Sequence, residues 1–483
     1  MFGLKELRSS RSGSHKRNAS SLSGLGGGGR GADDFSSLLS TSRTRSSKGA
    51  LALRARLSSL VKWVVVSFAL VIVVFWFKYE LHIELQLYSR GWVRDTILPV
   101  VDPSPSHCFS RDHIASTEYN VSLADGAKRV EVHSGIAMPL GNDCYDFAQT
   151  IPREVDAALA QAIPTETIVH LYWRDDLLPL GPRQVALIES ILYSQDERST
   201  RIVFWTNAAT TDAVESLEIL EPILARHGPR RGDARFEVKR VDKRELARAT
   251  PMRDHKWLDL ADEQAWVDGD LVRVLVLYAY GGVWIDFDTI LTGKRDLRVL
   301  LEHEWVTQWD CYDKIYQPLN GAMMHFFKHS PYLCEMLSVM STSPAPAQNS
   351  VDWGARLYHK VWRSLVHRGI KPFKVLPYCF TDGVSCRLDN RLPDPFDKDV
   401  NERRFGGGAQ RGHAAGGGGG KEPTTTTTRW QELENKLDHV WAVHLHNRWD
   451  KAFPRGGYVD EMILKPLAEA KTRRLATRLV DEI

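Results

Sequence analysis

The sequence predicts an α/β domain with parallel strands behind a single N-terminal transmembrane helix. Three features indicate this: an uncharged apolar segment, strand and helix patterns that alternate from residue 167 onward, and a helix–strand unit that ends in acidic residues. Charged residues make up 25% and apolar residues 43% of the 483 residues, which are ordinary globular values. A collagen-like, wholly disordered or multi-span protein is therefore excluded.

The formal net charge of +3 combines a basic N-terminal segment with a slightly acidic remainder. Residues 1–62 carry a net charge of +9, and the rest of the chain carries −6. Because nucleic-acid binding is dominated by contacts between basic side chains and phosphates, the acidic remainder argues against a nucleic-acid partner. Residues 1–56 are rich in Ser, Gly and Arg and poor in aromatic residues, so we expect a disordered basic tail.

The apolar segment at residues 57–77 predicts a transmembrane signal anchor. Its sequence, LSSLVKWVVVSFALVIVVFWF, has about the ~20 residues that cross a bilayer, although a buried core helix is the alternative. Residues 43–62 carry six Lys and Arg, whereas residues 78–95 carry three beside three acids. The positive-inside rule then places the tail in the cytosol and the body in a lumen. The short span favours a Golgi membrane, with the endoplasmic reticulum as the alternative.

The cysteines and one glycosylation sequon agree with a lumenal body. All six cysteines follow the anchor, where disulfides can persist: Cys108, Cys144, Cys311, Cys334, Cys379 and Cys386. Six cysteines allow fifteen complete pairings, and the sequence does not choose among them. The sequon Asn120-Val121-Ser122 lies on the same side of the anchor.

The body divides into segments of different composition. Residues 78–160 are predicted to form a lumenal stem, and residues 161–460 a globular domain. Within that domain, strand patterns at 167–173 and 201–206 flank a helical pattern at 183–194, which favours a β-α-β start and parallel strands. Two further segments are predicted, a disordered Gly/Thr-rich insertion at 397–429 and a C-terminal helix at 461–483.

The chemically informative stretch runs from residue 270 to 291 and reads DLVRVLVLYAYGGVWIDFDTIL. Its first part has the apolar spacing of a helix, and Asp270 and Arg273 share one face of that helix. The pair Gly281-Gly282 ends the helix, because a left-handed C-cap favours glycine. An apolar strand then leads into Asp286-Phe287-Asp288.

Two carboxylates at positions i and i+2 after a strand lie on the same side if the strand continues. They are costly to place together without a cation or hydrogen-bond donors. Carboxylate oxygens suit Mg²⁺ or Mn²⁺, which usually also contact substrate phosphates. The triplet Asp286–Asp288 therefore predicts a divalent cation on a nucleotide diphosphate, and a solvated surface turn is the alternative.

This stretch resembles the Asp-x-Asp sugar-binding region of glycosyltransferase family 32, which includes fungal Golgi α-mannosyltransferases and vertebrate α-1,4-galactosyltransferases. It is also similar to the glucosyltransferase domain of large clostridial toxins. The positions that match the family pattern are Asp270, Leu271, Arg273, Leu277, Gly281, Gly282, Trp284, Asp286 and Asp288. Looser matches are IVHLYW (168–173), RIVFWTN (201–207), NGAMM (320–324) and HLHNRW (444–449). Two departures, His329-Ser330-Pro331 and Gly354-Ala355, concern the acceptor side.

The resemblance implies a GT-A-like nucleotide-sugar-binding fold with a Rossmann-like mixed sheet at residues 161–460, and a role for each matched residue. The implied catalytic residues are Asp286, Asp288 and Arg273. The implied donor-binding residues are Trp173, Asp270, Arg273, Trp284, Asp286, Asn320 and Trp449. The implied ligands of Mn²⁺ or Mg²⁺ are Asp288 and Asp286, completed by His444, His446 or Asn447. For the two histidines, ordinary strand residues are the alternative.

The implied reaction is retaining transfer of a hexose, with mannose from GDP-mannose favoured and UDP-galactose or UDP-glucose as alternative donors. The acceptor is a glycan or a glycolipid. A haloacid-dehalogenase-type phosphatase is a competing hypothesis for DFDTIL, but Thr289 stands one place too early for that motif. A lectin-like scaffold without turnover is the third hypothesis, and the intact carboxylate pair argues against it.

Overall fold

The computed structural model describes residues 46–79, 87, 89–94, 106–215, 217–229, 234–309, 316–384, 386, 389–398, 429–449 and 451–481. The chain forms two compact units, residues 1–79 and 80–483. Most of the predicted tail, nearly all of the Gly/Thr-rich insertion and Cys311 lie outside the described residues.

The first unit contains one long helix, α1 (Ser46–Lys78). Its part Ser59–Lys78 has 20 residues with a mean hydropathy of 2.5, and none of them is buried within the protein. This helix is long and apolar enough to cross a membrane. It begins inside the segment 1–56 that we predicted to be disordered, because the sequence KGALALRARL consists largely of good helix formers.

The second unit combines helices with two sheets. The other α-helices are α2 (Arg90–Trp92), α3 (Arg111–Ala115), α4 (Val121–Asp125), α5 (Asp143–Gln149), α6 (Pro182–Ser194), α7 (Thr211–Glu215), α8 (Glu221–His227), α9 (Lys243–Leu246), α10 (Val267–Tyr280), α11 (Pro331–Thr342), α12 (Ala355–His367), α13 (Arg429–Leu437) and α14 (Lys465–Asp481). The strands are β1 (Thr167–Trp173), β2 (Thr200–Thr206), β3 (Phe236–Arg240), β4 (Gly282–Ile285), β5 (Thr289–Leu291), β6 (Trp305–Gln308), β7 (Leu319–Phe326), β8 (Lys374–Leu376) and β9 (Ala442–His444).

The main sheet has seven strands in the order β3-β2-β1-β4-β7-β6-β8. The first four strands in this order run parallel, whereas β7 is antiparallel to both of its neighbours. Strands β2 and β7 are buried almost throughout, as expected for strands that are covered on both faces. The prediction of a mixed α/β sheet that begins with parallel strands is confirmed.

A small second sheet places the acidic triplet beside the C-terminal part of the chain. Strand β5 pairs antiparallel with β9, and Thr289 lies opposite His444. Because β4 and β5 flank Asp286–Asp288, this pairing brings the triplet next to residues 444–449 despite their distance in sequence. The candidate site therefore forms where β4 leaves the main sheet.

Residues 106–160, which we predicted to belong to a stem over 78–160, pack into the globular unit. Val132, Cys144 and Tyr145 are buried in the main core cluster. Two disulfides connect this segment to distant elements, Cys108–Cys334 and Cys144–Cys379. The predicted stem lacked a strong strand or helix pattern because its apolar residues are buried singly against other segments.

Candidate functional site

A pocket of about 520 Å³ opens at the carboxyl ends of β1 and β4. Parallel sheets commonly bind ligands at this edge. Ten of the residues predicted from the sequence line this pocket: Trp173, Asp270, Arg273, Trp284, Asp286, Asp288, Asn320, His444, Asn447 and Trp449. His446 does not line it. The fold thus brings nearly the whole predicted set to one cavity.

The buried guanidinium of Arg273 connects two of the predicted carboxylates. Its Nη1 donates to Asp270 Oδ1 at 2.6 Å, and its Nη2 donates to both oxygens of Asp286 at 2.8 and 3.0 Å. Nη1 also donates to the hydroxyl of Tyr358 at 2.7 Å, and the Trp284 indole donates to Asp286 Oδ1 at 2.6 Å. Helix α10 supplies Asp270 and Arg273 from one face, as their spacing predicts.

The electrostatics of this group follow from burial. Burial raises the pKa of Asp270 to about 7, although the adjacent Arg273 opposes that rise and the nearby Asp286 adds to it. Asp286 accepts hydrogen bonds from the Arg273 guanidinium and the Trp284 indole, and these two donors fix the direction of its carboxylate.

Two glycines that sequence reasoning did not assign make room for this group. A Cβ at Gly321 would lie 2.1 Å from Arg273 Nη1, and a Cβ at Gly354 would lie 2.5 Å from Asp270 Oδ2. Both distances are far below contact, so any side chain at either position displaces the charged groups. Each glycine is distant in sequence from the group it accommodates, so the sequence offers no signal for this role.

Asp288 lies in the turn between β4 and β5 and is only 3% exposed. Its Oδ2 accepts from the backbone N–H of Asn447 at 2.7 Å and lies 3.2 Å from His444 Nε2. Burial opposes ionisation, but His444 and the Asn447 N–H outweigh it and hold the pKa of Asp288 below its usual range. Among the residues that the structure describes, no hydrogen bond is made to Oδ1, which leaves this oxygen for a ligand.

Asp382 is a buried carboxylate that sequence reasoning missed. Its Oδ2 lies 3.1 Å from His444 Nδ1, and its Oδ1 lies 2.7 Å from His446 Nε2. The Asn320 amide lies 3.1 Å from His444 Nδ1 and 3.4 Å from Asp382 Oδ2. Burial favours a neutral imidazole, but Asp288 and Asp382 together raise the pKa of His444 well above its ordinary value.

The backbone near β9 is strained so that these side chains meet. His446 and Asn447 have φ values of 52° and 55°, in the left-handed region that non-glycine residues seldom adopt. Strain of this kind concentrates at functional sites. It directs His446 toward Asp382, while the Asn447 N–H faces Asp288.

The donor set fits a hard divalent cation such as Mn²⁺ or Mg²⁺. Among the described residues none bonds to Asp288 Oδ1, and Asn447 lines the same pocket. Carboxylate and amide oxygens are ligand types that these ions accept. Both oxygens of Asp286 are already held by Arg273, so Asp286 suits contact through water. Both ring nitrogens of His444 face carboxylates, so in this arrangement the ring bridges Asp288 and Asp382.

We expect Asp382→Asn to weaken Mn²⁺ binding by ~10–100-fold, the usual effect of removing a group that orients the residues around a metal. The amide loses the charge that holds His444 and His446, so Asp288 loses a fixed neighbour. Electron paramagnetic resonance of free Mn²⁺ measures the dissociation constant, and the thermal midpoint reports folding. Asp259→Asn, at a carboxylate that is 67% exposed, is the control. Unchanged Mn²⁺ affinity in a folded Asp382 variant would contradict the expectation.

Aromatic residues form the wall next to this group. The Trp173 indole donates to the Leu178 carbonyl at 2.8 Å. Its ring meets Phe287 and Trp449 edge to face, each at 5.3 Å between centroids. The guanidinium of Arg183 lies 5.3 Å from the Trp449 centroid. Trp173 and Trp449 are thus fixed against each other at the end of β1.

Comparison with known proteins identifies part of this region. Residues 182–307 match the family described as "Glycosyltransferase sugar-binding region containing DXD motif". The match includes β4 and Asp286–Asp288, and it ends before Asn320 and residues 444–449.

One curated relative and two solved structures are similar to parts of the chain. "Uncharacterized protein At4g19900" of Arabidopsis thaliana is 41% identical over 71 residues, 14% of this chain, and the chain spans only 10% of that protein. The PaToxG glycosyltransferase structure is 12% identical and covers 47% of this chain and 75% of its own, with a TM-score of 0.31. The WbbM bifunctional glycosyltransferase structure is 13% identical and covers 45% of this chain and 40% of its own, with a TM-score of 0.29.

The family match and the pocket concern the same residues. Asp270, Arg273, Trp284, Asp286 and Asp288 lie within residues 182–307 and line one cavity. The chain therefore contains a glycosyltransferase-like sugar-binding region, with its Asp-x-Asp triplet at the surface of that cavity.

Proposed function

We propose that this protein is a metal-dependent hexosyltransferase of glycosyltransferase family 32. It transfers a hexose, with mannose favoured, from a nucleotide-sugar donor to a glycan acceptor and retains the anomeric configuration. The single observation that carries the proposal is the convergence of Asp288, Asp286 and Arg273 on one pocket with opposite charges in contact.

Each group has a role that its contacts support. Asp288 and Asn447 would hold the divalent cation that accompanies the donor diphosphate. Asp286, fixed by Arg273 and Trp284, accepts hydrogen bonds from sugar hydroxyls, and Asp270 contacts the sugar or ribose from the same side. Trp173 borders the nucleobase, and Trp449 covers the leaving phosphate. A bound Mn²⁺ or Mg²⁺ neutralises negative charge on the departing diphosphate.

The charge balance of the reaction fits this arrangement. Breaking the sugar–phosphate bond builds negative charge on the diphosphate and positive character at the anomeric carbon. Arg273 offsets part of the negative charge that builds on the departing diphosphate, while Asp270 and Asp286 keep the guanidinium in place. Asp270 and Asp286 are both bound to Arg273, which disfavours either as a covalent nucleophile. The acceptor hydroxyl attacks on the face that the diphosphate leaves, and a phosphate oxygen takes its proton.

The helix α1 anchors the protein in a Golgi membrane with the catalytic unit in the lumen. This part of the proposal rests on the length and hydropathy of Ser59–Lys78 and on the basic residues that precede it. The two disulfides agree with a lumenal compartment, where such bonds persist.

Turnover of a panel of sugar nucleotides by the full-length protein in detergent micelles tests the proposal. We expect release of nucleoside diphosphate from one donor, GDP-mannose first, that requires Mn²⁺ or Mg²⁺ and stops with a chelator. Turnover with UDP-galactose or UDP-glucose instead would keep the reaction and change the donor. Binding of donor without turnover, with or without glycan and glycolipid acceptors, would favour a lectin-like scaffold. Hydrolysis of a simple phosphoester would favour a phosphatase.

A further inference from the structure

One side of the pocket is formed by two loops at the end of β1 and before α10. The first comprises residues 174–178, and the second comprises residues 262–266. Arg174 connects them, since its Nη1 donates to the Asp262 carbonyl at 3.3 Å and to Asp268 Oδ1 at 3.0 Å. Trp173, which borders the nucleobase in the proposed function, leads directly into the first loop. These loops are therefore the part of the pocket that faces the base.

Most polar groups in these loops are already used within the protein. The guanidinium of Arg174 binds Asp176 and Asp268. The Asp262 Oδ2 accepts from the backbone N–H of Val267 at 3.2 Å. The Asn207 side chain accepts from the Asp175 backbone N–H at 2.9 Å and donates to Asp176 Oδ1. These interactions hold the loops in place, and the groups that make them have little capacity left for a ligand.

Glu263, in the second loop, is not used within the protein in this way. It lines the pocket and is exposed, and no hydrogen bond or ion pair joins its carboxylate to any other residue that the structure describes. The same holds for the adjacent Gln264, whose amide carries both a donor and an acceptor. The base-facing side of the pocket thus presents a pair of carboxylate oxygens beside an amide.

From this arrangement, and resting on the proposed function, we propose that Glu263 selects guanine, so that the donor is a GDP-sugar. A carboxylate offers only acceptors. Guanine presents two adjacent donors, N1–H and the N2 amino group, which match the two oxygens of one carboxylate. The Gln264 amide donates to guanine O6, which completes recognition of that edge of the base.

The other common bases do not match a free carboxylate. Uracil presents one N–H between two carbonyl oxygens, so both flanking groups repel the carboxylate. Adenine and cytosine each present an amino group beside a ring acceptor, which again opposes one oxygen. A bound base takes the carboxylate out of water, so a base that leaves one oxygen without a hydrogen-bond donor binds more weakly.

Inosine diphosphate separates this specific contact from general nucleotide binding. It is identical to GDP except that the N2 amino group is missing, so it makes one of the two hydrogen bonds to Glu263. Isothermal titration of the full-length protein with GDP, inosine diphosphate and UDP, in excess Mn²⁺, is the measurement. We expect wild-type protein to bind GDP ~10-fold more tightly than inosine diphosphate and at least ~10-fold more tightly than UDP.

The variant Glu263→Gln tests the residue itself. We expect it to lose ~10-fold or more in GDP affinity and to bind GDP and inosine diphosphate nearly equally, while its UDP affinity stays the same or rises. The control is Glu218→Gln, the same change at an exposed glutamate that does not line the pocket, and it keeps the wild-type preferences.

The outcomes separate this inference from the proposed function. Tighter binding of UDP than GDP by the wild type, together with turnover of a UDP-hexose, overturns the guanine assignment and leaves the hexosyltransferase proposal intact. An unchanged preference for GDP over inosine diphosphate in Glu263→Gln also overturns the assignment. Failure of every nucleotide to bind in the presence of Mn²⁺ overturns both.

Discussion

Asp288→Asn is expected to lower metal-dependent turnover of the donor by about 10³-fold or more, the largest effect of any single substitution in the pocket. The carboxylate supplies the free oxygen Oδ1 and the negative charge that a divalent cation requires. An amide removes the charge, and whichever way it is oriented it cannot serve His444, the Asn447 N–H and a cation together.

Two measurements on the same preparation check this expectation. Release of nucleoside diphosphate from the preferred donor reports turnover, and the dissociation constant of Mn²⁺ reports the metal site. Asp254→Asn, at a carboxylate that is 86% exposed, is the matched control and keeps both values. An Asp288→Asn variant with wild-type turnover that a chelator still abolishes would show that another residue holds the metal.

Gly321→Ala is expected to reduce turnover by about 10²-fold or more, although no functional group is removed. The added methyl would lie 2.1 Å from Arg273 Nη1 and 2.8 Å from the Tyr358 hydroxyl, so the guanidinium must move. That movement breaks its contacts with Asp270 and Asp286, and misplacement of a catalytic group by about 1 Å costs ~10²-fold in rate.

The control is a methyl group at another glycine of the same pocket. A Cβ at Gly269 has no neighbour within 4 Å, and its helical backbone tolerates alanine. We expect Gly269→Ala to change turnover only a few-fold and to leave the thermal midpoint unchanged or raised. Equal activity of the two variants, with both folded by circular dichroism, would contradict the role assigned to Gly321.

The interior of the main sheet was predictable because its local patterns agree with its tertiary environment. β-Branched and aromatic residues predict the strands near 167–173 and 201–206, and apolar residues at helical spacing predict the helix between them. The same residues are buried in the structure, so tertiary packing favours the same elements as the local sequence. Residues 106–160 were not predictable as part of the domain. Its buried residues, such as Cys144 and Tyr145, are stabilised by contacts and cross-links with segments more than 200 positions away.

The residues of the candidate site also divide into those that the sequence could predict and those that it could not. Asp270, Arg273, Asp286 and Asp288 lie within 19 positions, so their relative placement follows from one helix, one turn and one strand. Asp382 lies in a loop without a recognisable sequence pattern. Its contacts with His444 and His446 arise only because the fold brings the end of β9 next to that loop.

The sequence by itself determined the α/β class, the apolar helix and the carboxylate pair, because each depends on residues that are close along the chain. Only the tertiary structure decided that Gly321 makes room for Arg273, that His444 bridges Asp288 and Asp382, and that no residue in the described part of the chain pairs with Glu263. These features depend on distances of a few ångströms between remote segments. Periodicity reports which face of an element is buried, whereas packing alone determines which atoms meet there.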